Sequence, residues 1–407
     1  MGWLDSAAHH RWLEAEGDRL LQFGRAARDP EGGFGWLDTA GRPDPGRPQQ
    51  LWVNARMTHV YALAYLMGRP GAGALADHGV AALRGRFHDA RHGGWYAEVT
   101  SEGPAQTDKT AYEHAFVVLA AASATAAGRP DAAGLLDQAV AVLRDRFWDD
   151  EHGMVVEQWD ESFSELDGYR GVNANMHTVE ALLTAADVLA EPALRRMALR
   201  IVTRVVHDLA AGNDWRIPEH FDATWTPDLD YNRDEPAHPF RPFGATVGHS
   251  LEWARLLLQL RAALGGEAPA WLLPDSRALF EAAVRDGWAV DGADGFVYTV
   301  DWAGVPVVRE RMHWVAAEAT ATAAALHRAT GDPGYARWYE TWWDHIGEHL
   351  IDRDGGSWWH ELSPENRPTA QVWDGKPDIY HAFQATLVPR LPLTPTFAVA
   401  LRDGHLS

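Results

Sequence analysis

Six histidines recur along the chain, His59, His114, His177, His249, His313 and His381, each near the start of an apolar segment. An imidazole titrates near pH 6.5 when unperturbed, so it can accept and donate a proton close to neutrality. Three of them have a polar residue three positions on: Glu180 after His177, Glu252 after His249 and Gln384 after His381. On a helix such a pair shares one face. A carboxylate there can fix the tautomer of the imidazole and raise its basicity. The same zones carry Arg56, Tyr112, Asn173 and Arg241, with Trp52, Trp314 and Trp373. Tryptophan faces suit the apolar side of a sugar, and Arg, Asn and His suit its hydroxyls. Glu318 and His59 complete the set of candidate sugar contacts. At helix N-termini these groups would also favour anionic oxygen, so a developing enediolate beside a guanidinium would be stabilised.

Other chemistries fit less well. H-E-x-x-H is absent, and His-x-x-Glu alone is a weak ligand signal, so no metal and no cofactor is expected. Glycoside hydrolysis or lyase chemistry would want two carboxylates across a pocket. Glu252, Glu318 and Asp108 are available, but a ring of histidines suits that mechanism poorly. A non-catalytic sugar-binding protein would keep the tryptophans without needing paired histidines.

Something must bring residues so far apart together, and the chain repeats. A phrase of acidic turn, glycine and alternating aromatic residues appears as DPEGGFGWLD near Gly33, DARHGGWYAEV near Gly94 and DDEHGMVVEQWD near Gly153. It is fainter as AAGNDWRIPEHFD near Asn213, then returns as DGADGFVYTVD near Gly295 and DRDGGSWWHEL near Gly356. The spacings are 61, 59, 60, 82 and 61 residues. Asp/Gly turns flanked by period-two apolar residues predict hairpins with very short strands.

The segment after each phrase, such as VNANMHTVEALLTAADVL, is apolar nearly all round and reads as a buried helix. The segment before each phrase is amphipathic; in RRMALRIVTRVVHDL, Met197, Ile201, Val202, Val205, Val206 and Leu209 form one stripe. Six buried and six half-exposed helices predict an all-α (α/α)6 toroid of about twelve helices, with short hairpins in the connecting loops and residues 1–407 as a single catalytic domain. An open solenoid is the competing arrangement, but it would want polar capping repeats. In the toroid the inner helices run the same way and their N-termini meet at one mouth, so six histidines at equivalent positions would ring one pocket. The long fourth interval maps to 226–248, TPDLDYNRDEPAHPFRPFGATVG, which reads as a loop and a candidate lid.

Composition narrows the partners. The chain has 407 residues, 57 acidic and 36 basic, with a formal net charge of −21. That balance argues against binding nucleic acid or an anionic membrane. The absence of cysteine removes disulfides, thiolate metal sites and a cysteine nucleophile. The most apolar stretch, 115–128, is too short to span a bilayer. The first ten residues, from Met1 to His10, lack a signal-peptide pattern, so a cytoplasmic protein is expected. Only two lysines occur, Lys109 and Lys376, which limits Schiff-base chemistry to two candidates. Tryptophan is abundant, with 20 residues serving core packing, ligand stacking or both. The outer helices carry no pattern that demands an oligomer.

The runs RMTHVYALA, GVNANMHTVEALL, GATVGHSLEWARL, RMHWVAAEA and GKPDIYHAFQATL, spread in order over most of the chain, resemble the N-acylglucosamine 2-epimerase superfamily. Within it they are most similar to the branch of bacterial mannose and sulfoquinovose isomerases. The resemblance implies an (α/α)6 barrel and cofactor-free isomerisation of a small monosaccharide through a cis-enediol. It implies that His249 and His381 carry out acid–base transfer and that His177 contacts O1 and O5 and assists ring opening. Arg56 is implied to contact the reacting hydroxyls, and Glu252 to orient its neighbours. The expected reaction is mannose–fructose interconversion, with lyxose–xylulose alongside. Sulfoquinovose isomerisation, which would want an extra cation such as Arg241, and 2-epimerisation of cellobiose or N-acylglucosamine are the alternatives within the superfamily.

Overall fold

The computed structural model describes residues 2–394 and 396–407; the reading of the chain start includes Met1, which lies outside them. Twelve helices form two concentric rings. The outer ring comprises α1 (Ala7–Gly24), α3 (Ala72–Arg84), α5 (Ala132–Val142), α7 (Pro192–Val202), α9 (Leu272–Gly287) and α11 (Pro333–His345). The inner ring comprises α2 (Leu51–Leu66), α4 (Ala111–Ala126), α6 (Val172–Leu189), α8 (Val247–Leu264), α10 (His313–Thr330) and α12 (Tyr380–Leu387). Each inner helix packs on the next, α12 returns to α2, and α1 backs α12, so the first and last repeats close the ring. This is the (α/α)6 toroid, and closure excludes the open solenoid.

Burial follows the sequence pattern. Every residue of α2 from Leu51 to Ala64 is buried, as an all-round apolar helix must be. In α7 and the wide turn that continues it, the predicted stripe buries Ile201, Val202, Val205 and Val206, and its arginines lie outward. Among the described residues no helix is long and apolar enough to cross a membrane.

The hairpin phrases hold the mouth in register. Short antiparallel bridges span five of them: Arg28 with Phe34, His88 with Trp95, Trp148 with Val155, Trp288 with Phe296 and Ile351 with Trp358. The fourth phrase departs from the expectation. No strand pairing among the described residues spans Asn213; Asp214 and Trp215 take left-handed backbone instead, and the bridge of Phe221 with Pro227 belongs to a second turn further on, the counterpart of Leu37 with Pro43 and Val300 with Pro306. Past each turn the chain pairs with the residues just before the preceding inner helix, as in Gly171 with His220. The first amide of that helix then donates to a neighbouring carbonyl: Leu51 to Ala97, Ala111 to Glu157, Val172 to Glu219, Val247 to Tyr298 and His313 to His360. In the last repeat the Lys376 amide donates to Leu37 and closes the circle.

Two kinds of side chain lock the hairpins. Three residues on from that first amide, Asn54 and Asn175 grip the backbone of Phe34 and Val155 through both N–H and C=O. His114 stands at the same position, accepting from the Trp95 amide at 3.2 Å and donating to the Thr110 carbonyl at 2.7 Å. In the second lock a cation or amide reaches the acidic residue of its own phrase. Lys109 lies 2.7 Å from Asp89, Lys376 2.5 Å from Asp352, Arg311 2.7 Å from Asp291 and Gln49 2.7 Å from Asp29. Both lysines are therefore buried fasteners. At the other end of the barrel a short helix, α13 (Phe397–Arg402), packs on α2, α4 and α6, and its Phe397 lines a small cavity with Arg255, Gln259 and Ala325 of α8 and α10. The repeat pattern gave no hint of this floor.

Candidate active site

Counting from those first amides, Leu51, Ala111, Val172, Val247, His313 and Lys376, sorts the inner side chains into layers. The second position presents Trp52, Tyr112, Asn173, Gly248, Trp314 and Pro377 at the mouth. Gly248 is required there, because a Cβ would collide with the Trp314 ring. The sixth position supplies Arg56, Phe116, His177, Glu252, Glu318 and His381. The ninth, deeper, supplies His59, Leu119, Glu180, Arg255, Ala321 and Gln384. The six histidines thus do not occupy equivalent positions. His177 and His381 share one layer, His249 and His313 lie nearer the mouth, His59 lies below, and His114 faces a hairpin.

The cavity at the mouth encloses about 630 Å³, counting its entrance. Of the candidates singled out in the sequence, Trp52, Arg56, Tyr112, Asn173, His177, His249, Glu252, Trp314, Trp373 and His381 line it. Glu318, His59 and Arg241 do not. Glu318 stands behind His381. His59 bonds Ser123 at 2.7 Å beneath the floor. Arg241 lies over the Tyr169 ring, 4.1 Å from its centre and 3.9 Å from Glu157. Pro239 and Phe240, from the long loop, cover the opening; the Phe240 ring packs edge-on against Trp373, Tyr112 and Trp52.

Two imidazole–carboxylate pairs face this space. His249 Nδ1 lies 3.0 Å from both oxygens of Glu219, and His381 Nδ1 lies 2.9 Å from Glu318 Oε1. Each carboxylate accepts from Nδ1, which leaves Nε2 as the ring nitrogen for a ligand. The Trp314 ring sits between the pairs, 5.4 Å from His249 and 5.7 Å from His381. Burial, with the charge of Arg56 nearby, holds His381 well below the usual imidazole value, so it is a neutral acceptor. Burial also pulls His177 down to about 4, although Glu180 works the other way.

Arg56 is the cation of the cavity. Its Nη1 donates to Asp378 at 3.2 Å and its Nη2 to the Tyr112 hydroxyl at 2.9 Å, and it lies over the Phe116 ring at 4.4 Å. Burial opposes its charge, but Tyr112 and Asp378 more than offset that and raise its pKa further. Beneath, Arg255 Nε donates to Glu318 at 2.8 Å, and its Nη2 approaches Glu252 at 3.5 Å. Where histidines and carboxylates cluster near His177 and His381, the Arg255 guanidinium supplies one positive charge among them. Lys109 does the same where Asp89, His92 and Glu161 converge.

Sequence reasoning missed Glu219, Tyr298 and His360. They are the residues whose carbonyls accept the first amides of the inner helices, so the hairpins carry functional side chains as well as structure. The signal lay inside the repeated phrases, where alternation turns every second residue toward the barrel, as in Phe296 and Tyr298 or Trp358 and His360. His360 stacks on His313 with ring centres 3.8 Å apart. Asp378 and Phe240 had no periodic signal, because both lie on irregular chain.

The sequence profile of the N-acylglucosamine 2-epimerase (GlcNAc 2-epimerase) family matches residues 32–385. The chain belongs to that family. It is 53% identical over 401 residues to a D-mannose isomerase of Thermobifida fusca, covering 98% of each chain. It is 51% identical over 402 residues to a D-mannose isomerase of Pseudomonas cannabina pv. alisalensis, covering 98% of this chain and 97% of that one. A crystal structure of D-mannose isomerase superposes with a TM-score of 0.87 at 30% identity, over 94% of this chain and 97% of that one.

Proposed function

We propose that this family member is a ketol-isomerase interconverting D-mannose and D-fructose, and D-lyxose and D-xylulose at the same centre, with residues 1–407 acting as one catalytic domain in the cytoplasm. The observation that carries the reading is the pair of imidazoles, each backed by a carboxylate, on either side of Trp314 in a cavity that also holds Arg56. The identity to two D-mannose isomerases over nearly the whole chain supports the choice of substrate.

The chemistry follows from that arrangement. The sugar ring opens with help from His177. A neutral imidazole of the His249/His381 pair takes the proton from C2. The C–H electron pair becomes the C1–C2 double bond, and the carbonyl π pair moves onto O1. Arg56 stabilises the charge on the enediolate oxygens. The C1–C2 double-bond pair takes the proton back at C1 while the proton of the O2 hydroxyl passes to O1 and the O2 pair forms the C2 carbonyl, giving the ketose. Neither step needs a metal or an organic cofactor. Arg241 is committed to Tyr169 and Glu157, and Arg56 is balanced by Asp378, so the cavity offers no spare cation for a sulfonate. That favours an uncharged sugar.

The test is a proton NMR time course with D-mannose in D₂O, with and without EDTA. Fructose should appear at the same rate in both, with deuterium at C1 where the base exchanges with solvent. Glucose appearing first would overturn the isomerase reading in favour of 2-epimerisation, and no change in mannose would overturn the substrate.

A further inference from the structure

Under the cavity, buried carboxylates outnumber the cations free to balance them. Glu180, Glu252 and Glu318 surround Arg255, and all four are at most 5% exposed. The other cation, Arg56, is engaged by Asp378. A carboxylate in such surroundings without full compensation takes up a proton in preference to bearing an isolated charge. Geometry decides which one. Glu318 is held by Arg255 Nε at 2.8 Å and His381 Nδ1 at 2.9 Å. Glu180 accepts from the Tyr380 hydroxyl and from Gln384 at 3.3 Å. Glu252 has Arg255 Nη2 at 3.5 Å and, more distantly, His177 Nδ1 at 3.9 Å from Oε1, while its Oε2 is buried with no hydrogen-bond partner among the described residues. Glu252 also lines the cavity, which Glu180 and Glu318 do not.

We propose that Glu252 works as a neutral carboxylic acid whose Oε2–H donates a hydrogen bond to the sugar oxygen that becomes anionic in the enediolate. The proposal rests on the isomerase reading above and assigns Glu252 a task beyond orienting its neighbours. No proton leaves Glu252 in the step. The C2 proton goes to an imidazole, the carbonyl π pair goes to oxygen, and the acid strengthens its hydrogen bond as that oxygen charges. A carboxylic acid kept neutral by its surroundings is suited to this role, since it donates where a carboxylate would repel.

The groups facing Glu252 come from every inner helix: Arg56, Tyr112, His177 with Glu180, Arg255, Glu318, and Tyr380 with His381. Burial and the charge of Glu318 push its carboxyl well above the usual range, against Arg255 and Arg56. The neutral, donating form therefore persists above the pH at which an ordinary carboxyl ionises and is lost as pH rises further.

The test compares kcat/KM against pH for the wild type, Glu252→Gln, Glu252→Ala and Glu318→Gln with D-mannose, alongside infrared spectra of each resting protein. The amide of Glu252→Gln keeps an N–H donor, so its rate should stay within about tenfold of wild type and its alkaline limb should disappear. Glu252→Ala should lose about 10²–10³-fold, the usual effect of deleting one oxyanion donor. Glu318→Gln, which removes a charged partner of His381, should lose at least as much. The wild-type spectrum should hold a carbonyl band of a buried neutral acid that Glu252→Gln abolishes. An alkaline limb unchanged in Glu252→Gln, a loss there equal to that of Glu252→Ala, or no such infrared band would each overturn the proposal. The infrared arm needs no turnover, so a failure of mannose conversion is read separately from a failure of the Glu252 proton.

Discussion

His249 and His381 illustrate how little a side chain does alone. Each becomes a positioned base only because a carboxylate from another segment fixes its Nδ1, Glu219 for one and Glu318 for the other. Positioned proton transfer contributes about 10²–10⁴-fold. Replacing either histidine by alanine should lower kcat by that order while circular dichroism stays unchanged; a variant keeping most activity would remove that residue from the mechanism. The pH profile offers a second check. His381 is held well below the ordinary imidazole value of about 6.5, so its neutral, proton-accepting form survives as pH falls past that point. The acid limb of kcat/KM should therefore lie below pH 6.5, and a limb above it would contradict the burial argument. At this scale the sequence was legible wherever a residue type announced its chemistry, as with Arg56, His177 and Trp314. It misled where one type serves two ends: His114 does the work that Asn54 and Asn175 do elsewhere, and only the hydrogen bond to Trp95 reveals it.

The elements that matter most are the hairpin and the long loop, not the helices. Lys109 and Asp89 are both wholly buried and joined at 2.7 Å. Breaking such a pair from one side leaves an uncompensated charge and costs about 3–5 kcal/mol. Lys109→Met should lower the urea midpoint accordingly, whereas an exposed pair such as Arg84 with Asp131 should contribute about 1 kcal/mol or less. The loop between α7 and α8 reaches the mouth through Pro239 and Phe240. Gly244 makes its return possible, because at φ 89° a Cβ would strike the Val300 carbonyl. Phe240 packs on the rings of Trp373, Tyr112 and Trp52. Phe240→Ala should therefore raise KM by about two- to tenfold, the scale of one aromatic contact of about 0.5–1.5 kcal/mol, with kcat little changed. An equal loss in kcat would mean that the loop helps organise the chemistry.

On the scale of the whole molecule, the ring is open at one end and stopped at the other. α13 buries Phe397 and Leu401 against the barrel. Each such side chain is worth about 1.5–3 kcal/mol of burial. Removing residues 397–407 should lower the melting temperature in a thermal-shift assay and expose the side of Arg255 away from the cavity. An unchanged melting temperature would show the floor to be dispensable.

The sequence by itself determined the twelve ring helices, their order and which of them are inside, because periodicity and repeat spacing are local properties of the chain. It also determined the chemical types gathered at the mouth. Tertiary structure alone decided the depth of each side chain. A helix advances about 1.5 Å and turns 100° per residue, so an offset of two or three residues moves an imidazole from the cavity to a hairpin or to the layer beneath. That offset has meaning only once the first amide of each helix is pinned to its neighbour. The same holds for the partners that tune the site. Glu219 and His249, or Glu318, Arg255 and Glu252, meet only when the ring closes, and neither sequence spacing nor residue type announces which buried carboxylate is left to hold a proton.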